Sequence, residues 1–166
     1  MKNKFYLYCI LCFLFNVAGY SQSTVFESLS FESNKLGRKV SYSIYLPSDY
    51  NTSKRNYPVL YLLHGYTDNA IRMLMIGYLY NKDLNYNIFL PDLQDNGLSE
   101  GPAIQMGWKD RLDVLNWMNI ADSIFGNNTQ MVVHGVSMGA ATTMMVSGEP
   151  QRPFVRCFVE DCGYTS

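Results

Sequence analysis

Gln130-Met131-Val132-Val133-His134-Gly135-Val136-Ser137-Met138-Gly139-Ala140-Ala141-Thr142-Thr143-Met144-Met145 decides the reading of this chain. Met131 to Val133 is a short apolar run with β-branched residues, which reads as a buried strand. Ala140 to Met145 has no glycine or proline and reads as a helix. Between them stands Gly135-Val136-Ser137-Met138-Gly139, a G-x-S-x-G pentapeptide. Strand, sharp turn and helix is the context in which that pentapeptide puts a reactive serine on a strained turn. The residues two positions from the serine must then be small, and Gly135 and Gly139 are. A plain glycine-rich phosphate loop is the competing reading. It lacks support, because no lysine stands where a P-loop needs one and G-x-G-x-x-G is absent. Ser137 is therefore the candidate nucleophile. The backbone N–H of Met138, at the helix amino terminus, is a candidate oxyanion donor.

Three more segments share the strand character. Tyr57 to Leu63 ends at His64-Gly65, Tyr86 to Leu90 ends at Pro91-Asp92, and Phe154 to Val159 ends at Glu160-Asp161. Apolar on both faces, such runs mark strands inside a parallel sheet. Helices fit between them, over Asn69 to Asn81, Trp108 to Phe125 and Ser137 to Ser147. Upstream, Val25 to Ser33 and Lys39 to Leu46 alternate and read as an antiparallel hairpin, with Val40, Tyr42, Ile44 and Leu46 on one face. The alternation implies an α/β fold, with a mostly parallel sheet and helices on both faces. His64-Gly65-Tyr66 closes the first buried strand. The Tyr66 N–H is the second oxyanion candidate, from the loop where such a donor normally lies.

The chain has 166 residues and a formal net charge of −1. Without clustered Lys and Arg it does not read as a nucleic-acid binder. Met1-Lys2-Asn3-Lys4 precedes a run from Phe5 to Tyr20 that is apolar except for Asn16. Small residues follow, so residues 1–21 read as a secretory signal peptide cleaved near Gly19 to Ser23. An uncleaved membrane anchor is the alternative. The run is shorter than the ~20 residues a spanning helix needs. The expected product is a secreted or periplasmic domain over residues 22–166, with no membrane contact once the signal is removed. Cys157 and Cys162 remain in it. On a strand they would lie roughly 16 Å apart and point to opposite faces, which excludes a disulfide and suggests two buried thiols. No Cys/His cluster has metal-site spacing, and no cofactor is implied.

On these motifs the chain resembles the α/β-hydrolase superfamily. Lys39 to Pro47 with Tyr57 to Gly65 resembles the esterase D group, which includes S-formylglutathione hydrolase, feruloyl esterases and mycolyltransferases. Leu90-Pro91-Asp92-Leu93, Gly97 to Gly101, Gly107 to Arg111, His134 to Ala140 and Glu160 to Tyr164 are more similar to the lysophospholipase and serine-aminopeptidase-like group. A seam between the two flavours is expected near His64 to Asn69. Gln94-Asp95-Asn96-Gly97 departs from the Arg-Gly that usually follows Asp-Leu.

The resemblance implies hydrolysis of a carboxylic ester through an acyl-enzyme on Ser137, with a short peptide as the alternative substrate. It also implies an acid and then a histidine downstream of the serine. The sequence has two histidines, His64 and His134, and both precede Ser137. Each is expected to be structural, since a base must come within ~3 Å of the nucleophile. Asp161 is a weak alternative for the acid. The expectation is an α/β-hydrolase domain lacking its last strands, with Phe154 to Val159 as an apolar edge. An inactive remnant or binding protein on this scaffold is the reading from another class.

Overall fold

The computed structural model describes residues 22–33 and 37–165. The expected signal peptide lies outside them. Six strands form one mixed sheet: β1 (Thr24–Ser33), β2 (Arg38–Leu46), β3 (Val59–Leu63), β4 (Asn87–Pro91), β5 (Met131–Val136) and β6 (Val155–Asp161). Their spatial order is β1-β2-β4-β3-β5-β6. The hairpin β1–β2 is antiparallel, and β2 joins the rest by antiparallel pairing with β4. The pairs β4–β3, β3–β5 and β5–β6 are all parallel. Three α-helices connect them: α1 (Leu74–Leu84), α2 (Asp110–Ile124) and α3 (Met138–Ser147). A single 3₁₀ turn, Ile71–Met73, leads into α1. The helices expected over Asn69 to Asn81 and Trp108 to Phe125 thus exist with shifted ends. Asn85, in the left-handed region with φ 56°, stops α1.

The helices divide between the two faces of the sheet. On one face, Leu60, Leu62, Ile88 and Leu90 meet Leu74, Ile76 and Tyr80 of α1. Gly77 lets α1 lie close, since a Cβ there would stand 3.1 Å from Ile88 Cγ2. On the other face, Val59, Tyr61, Leu63, Phe89, Met131 and Val133 pack with Val114, Trp117 and Met118 of α2 and Met138 and Val146 of α3. Trp117 is the hub of an aromatic group. Its ring centroid lies 4.6 Å from Phe31, 5.7 Å from Tyr42 and 5.5 Å from Phe89. Arg38, at the start of β2, bonds Asp113 on α2 and, at 2.7 Å, Gln94. Burial raises the Asp113 carboxyl and the Arg38 charge opposes that rise.

One expectation is corrected here. Cys157 and Cys162 are both free and both exposed, not buried. Among the described residues β6 is an outermost strand of the sheet, and no described strand covers its outer side. Cys162 lies past the strand end in the left-handed region, with φ 56°. None of the described helices is long and apolar enough to cross a membrane.

The two tryptophans separate core from surface in one experiment. Trp117 is 3 % exposed and Trp108 is 62 % exposed. Trp117→Ala is expected to cost about 3–5 kcal/mol in urea unfolding. Trp108→Ala removes only its stacking on the Arg111 guanidinium, at 3.9 Å, and is expected to cost about 1 kcal/mol or less.

Candidate functional site

Ser137 occupies the turn between β5 and α3 with φ 55° and ψ −113°. A non-glycine residue held there stores about 1–3 kcal/mol, so its surroundings must over-determine it. They do so at close range. The Ser137 N–H donates to the Asp161 carbonyl at 2.8 Å, tying the turn to the end of β6. The Ser137 carbonyl accepts from the Ala141 N–H at 3.0 Å, closing the first turn of α3. Thr142 and Thr143 turn their hydroxyls back onto the carbonyls of Met138 and Gly139, each at 2.9 Å.

The two glycines of the pentapeptide have no room for a side chain. A Cβ on Gly135 would stand 2.1 Å from the Gly139 carbonyl oxygen and 2.4 Å from Thr143 Oγ1. A Cβ on Gly139 would stand 2.4 Å from the Leu63 carbonyl oxygen and 2.7 Å from that of His64. Helix α3 therefore starts in backbone contact with the end of β3. That contact brings the next loop to the serine. A Cβ on Gly65 would sit 3.4 Å from Ser137 Cβ and 3.9 Å from its Oγ. The loop leading to Tyr66 thus lies against the serine, and Met138 is the first residue of α3. As a helix amino-terminal residue, Met138 carries an N–H with no acceptor inside the helix. Ser137 is exposed, and so are Glu160, Asp161, Cys162 and Gly163 beside it.

Neither histidine is bonded to Ser137. His64 is fully buried. Its Nδ1 lies 2.8 Å from the Gly65 carbonyl and its Nε2 accepts the Leu93 N–H at 2.9 Å. Those two bonds fix a neutral imidazole with the proton on Nδ1. Burial lowers its pKa, against smaller upward pulls from the Gly65 carbonyl, Asp92 and Asp68. His134 points to the α1 face, where Nδ1 lies 3.2 Å from Tyr80 Oη. Its Nε2 is buried with no protein partner. Burial lowers its pKa as well, opposed by Asp161. Asp161 contributes its backbone to the turn, while its carboxylate accepts the Cys162 thiol at 3.1 Å. That bond, with the Asp161 charge, raises the thiol pKa.

Sequence reasoning passed over the role of Asp92. Its carboxylate accepts the Ala70 N–H at 2.8 Å and the Leu98 N–H at 3.0 Å. Its carbonyl accepts Ser99 Oγ at 2.8 Å, and Ser99 Oγ in turn accepts the Ser41 N–H at 2.8 Å. Asp92 thereby joins the loop after β3 to the loop after β4 and to β2. Gly97, with φ +55°, faces the carboxylate so closely that a Cβ would stand 2.3 Å from it. The departure Gln94-Asp95-Asn96-Gly97 is accommodated with Asp95 in the left-handed region, φ 57°. The usable signal was a buried-strand end at Pro91-Asp92 followed five residues later by glycine.

The "Putative esterase" family matches residues 33–97, which runs past the seam expected near His64 to Asn69. The uncharacterized protein YqkD of Bacillus subtilis (strain 168) is 25% identical over 142 residues, covering 81% of this chain and 46% of that protein. Among solved structures, the Pyrococcus furiosus esterase Pf2001 superposes with a TM-score of 0.64 at 20% identity, over 86% of this chain and 52% of that one. A ferulic acid esterase gives 0.58 at 22% identity, over 73% and 52%. A thermostable carboxyl esterase from Bacillus coagulans gives 0.56 at 18%, over 73% and 38%. The chain spans about half the length of the first of these relatives.

Two outcomes follow from the packing. Gly139→Ala is expected to lose at least about 3 kcal/mol or fail to fold, as overpacking against backbone does at its worst. Gly148→Ala meets only Met145 O at 3.6 Å and is expected to cost under about 1 kcal/mol by thermal unfolding. The second outcome concerns pH. Both imidazoles have folded pKa values below the ordinary ~6.5, so the unfolded chain binds more protons in that window. Stability is then full above pH ~6.5 and falls as the pH drops below it. His64→Gln is expected to be less stable at neutral pH and to flatten that slope in urea titrations run from pH 7.5 to 5.

Proposed function

We propose that this chain, which belongs to the α/β-hydrolase superfamily, is a serine hydrolase acting on carboxylic esters through an acyl-enzyme on Ser137. One observation carries the reading: an exposed serine held in a strained turn, with a helix amino terminus on one side and the Gly65-Tyr66 loop on the other. A structural turn at this place would use glycine and avoid the strain. In the proposed reaction Ser137 Oγ attacks the ester carbonyl and a base takes its proton. The N–H groups of Met138 and Tyr66 stabilise the oxyanion, the alcohol leaves, and water releases the acid. Gly135 and Gly139 permit the turn. The likeness to esterases supports an ester over an amide. A short peptide is the second substrate class, and side-by-side ester and aminoacyl-amide substrates separate the two.

The base is proposed to come from outside the described residues, because both imidazoles are engaged elsewhere. The same observation favours a second reading, a binding scaffold without turnover. The proposed setting is export by the leader, with residues 22–166 as the hydrolase domain in a secreted or periplasmic location. Sequencing the amino terminus of the exported product tests the cleavage near Gly19 to Ser23.

The direct assay is labelling of the purified chain by a fluorophosphonate. Because the chain alone supplies no base, labelling is expected to be slow, confined to Ser137, and absent in Ser137→Ala. Equal labelling of the two proteins would remove the nucleophile from the account. Without a base, ester turnover by this chain alone is expected to stay within about 10³–10⁴-fold of the uncatalysed rate.

A further inference from the structure

The end of the sheet away from Ser137 carries a polar cleft. It lies where β3, β4 and β5 begin, so the length of β5 separates it from the serine turn by roughly 20 Å at the usual strand rise. Two adjoining cavities of about 240 and 320 Å³ form it, and they share Asn56, Tyr57 and Phe125. Asn56, Asn87, Asn127, Asn128 and Gln130 line them with side-chain amides. The loops around the cleft are held in place. Asp122 accepts the Thr129 N–H at 2.8 Å and the Thr129 hydroxyl at 2.7 Å, and its carbonyl accepts the Asn127 N–H at 2.9 Å. Asn127 and Asn128 both stand in the left-handed region, with φ 63° and 55°, a conformation that collects at ligand sites. On the other side Arg55 pairs with Asp49 and stands 5.3 Å over the Tyr57 ring, on which Tyr50 packs at 5.9 Å. Asn87 is the unexplained group. It is the first residue of β4 and is 2 % exposed. Its N–H donates to the Pro58 carbonyl at 2.9 Å, but its side-chain Oδ1 is buried with no partner among the described residues. The parallel strands beside it begin with Val59, Met131 and Val155. An apolar residue at position 87 would avoid the cost of an unpaired buried acceptor.

We propose that this cleft binds a neutral carbohydrate, as an accessory site separate from the chemistry at Ser137. A carboxamide both donates and accepts hydrogen bonds, and so does a sugar hydroxyl. A row of amides therefore matches a row of hydroxyls, and a sugar O–H supplies the proton that Asn87 Oδ1 lacks. Tyr50 and Phe125 give the C–H faces of the sugar an apolar wall. An anion fits less well. It brings no proton to Asn87, and the Arg55 charge is already matched by Asp49. A flat aromatic ligand also fits less well, because Tyr50 and Arg55 already pack on the Tyr57 ring. Two joined cavities of this size suit a short chain of sugar units. Reacting ligands of open α/β sheets bind at the carboxyl ends of the strands, so the amino-end cleft leaves the serine free. Its occupancy holds the domain on a glycan while the opposite end stays open.

The test titrates the isotope-labelled chain with maltotetraose, cellotetraose and xylotetraose, read by NMR of the backbone and side-chain amides. At least one sugar is expected to shift the side-chain amides of Asn56, Asn87 and Asn127 and to leave Gly65 and Ser137 unmoved. Asn87→Ala and Asn56→Ala are each expected to weaken that binding about tenfold, the equivalent of one hydrogen bond. Asn56 is exposed, so its variant keeps the test decisive if Asn87→Ala fails to fold. No shift with any of the three sugars overturns the proposal, and so does unchanged affinity in Asn56→Ala. Shifts confined to Gly65 and Ser137 overturn it too, since the sugar is then a ligand of the reactive end. A cleft that responds to glucuronate and to none of the neutral sugars is an anion site at Lys54, which also overturns it.

Discussion

Everything in the site depends on the backbone contact between the first turn of α3 and the end of β3. Gly139 has the carbonyl oxygens of Leu63 and His64 where a side chain would be, and Gly135 has the carbonyl of Gly139. Two glycines at this spacing allow the helix to begin flush with the sheet. That in turn forces the residue between them into a strained turn and aims it out of the sheet's carboxyl end. The strain of about 1–3 kcal/mol is offset by the bonds from Ser137 to Asp161 and Ala141. β6 is thus part of the turn and not merely its neighbour.

A second layer of polar contacts holds the neighbouring loops in register. His64 ties the end of β3 to Leu93, and Asp92 ties Ala70, Leu98 and Ser99 together. Both side chains are buried, where each hydrogen bond lost leaves an unpaired group costing about 1–3 kcal/mol. The loop bearing Tyr66 is therefore held by side chains that are themselves bonded to backbone groups. His64 is the clearer case: a histidine beside a serine invites a catalytic role, yet both of its nitrogens are already bonded to backbone.

The strands were legible because burial on both faces leaves an unbroken apolar run, as in Val59–Leu63 and Asn87–Pro91. The pentapeptide was legible because its glycines are forced by sterics that any chain must obey. Helix ends were less so. Asp110 starts α2 with its carboxylate accepting the Gly107 N–H at 2.9 Å, two residues later than the sequence reading placed the start, and burial raises its pKa. The cysteines were misjudged because apolar strand residues suggest burial, whereas β6 borders the sheet. The Asp92 web leaves only a faint trace in the sequence, Gly97 five residues after Pro91-Asp92, since its side-chain partners lie six to twenty-two residues away.

The central claim is that Ser137 is a nucleophile facing a preformed oxyanion site. A crystal structure of the chain after fluorophosphonate treatment tests it most directly. The account predicts phosphorus bonded to Ser137 Oγ, with one phosphonyl oxygen about 2.7–3.1 Å from the N–H groups of Met138 and Tyr66. An adduct on another residue, or a phosphonyl oxygen turned to solvent away from both N–H groups, would contradict it.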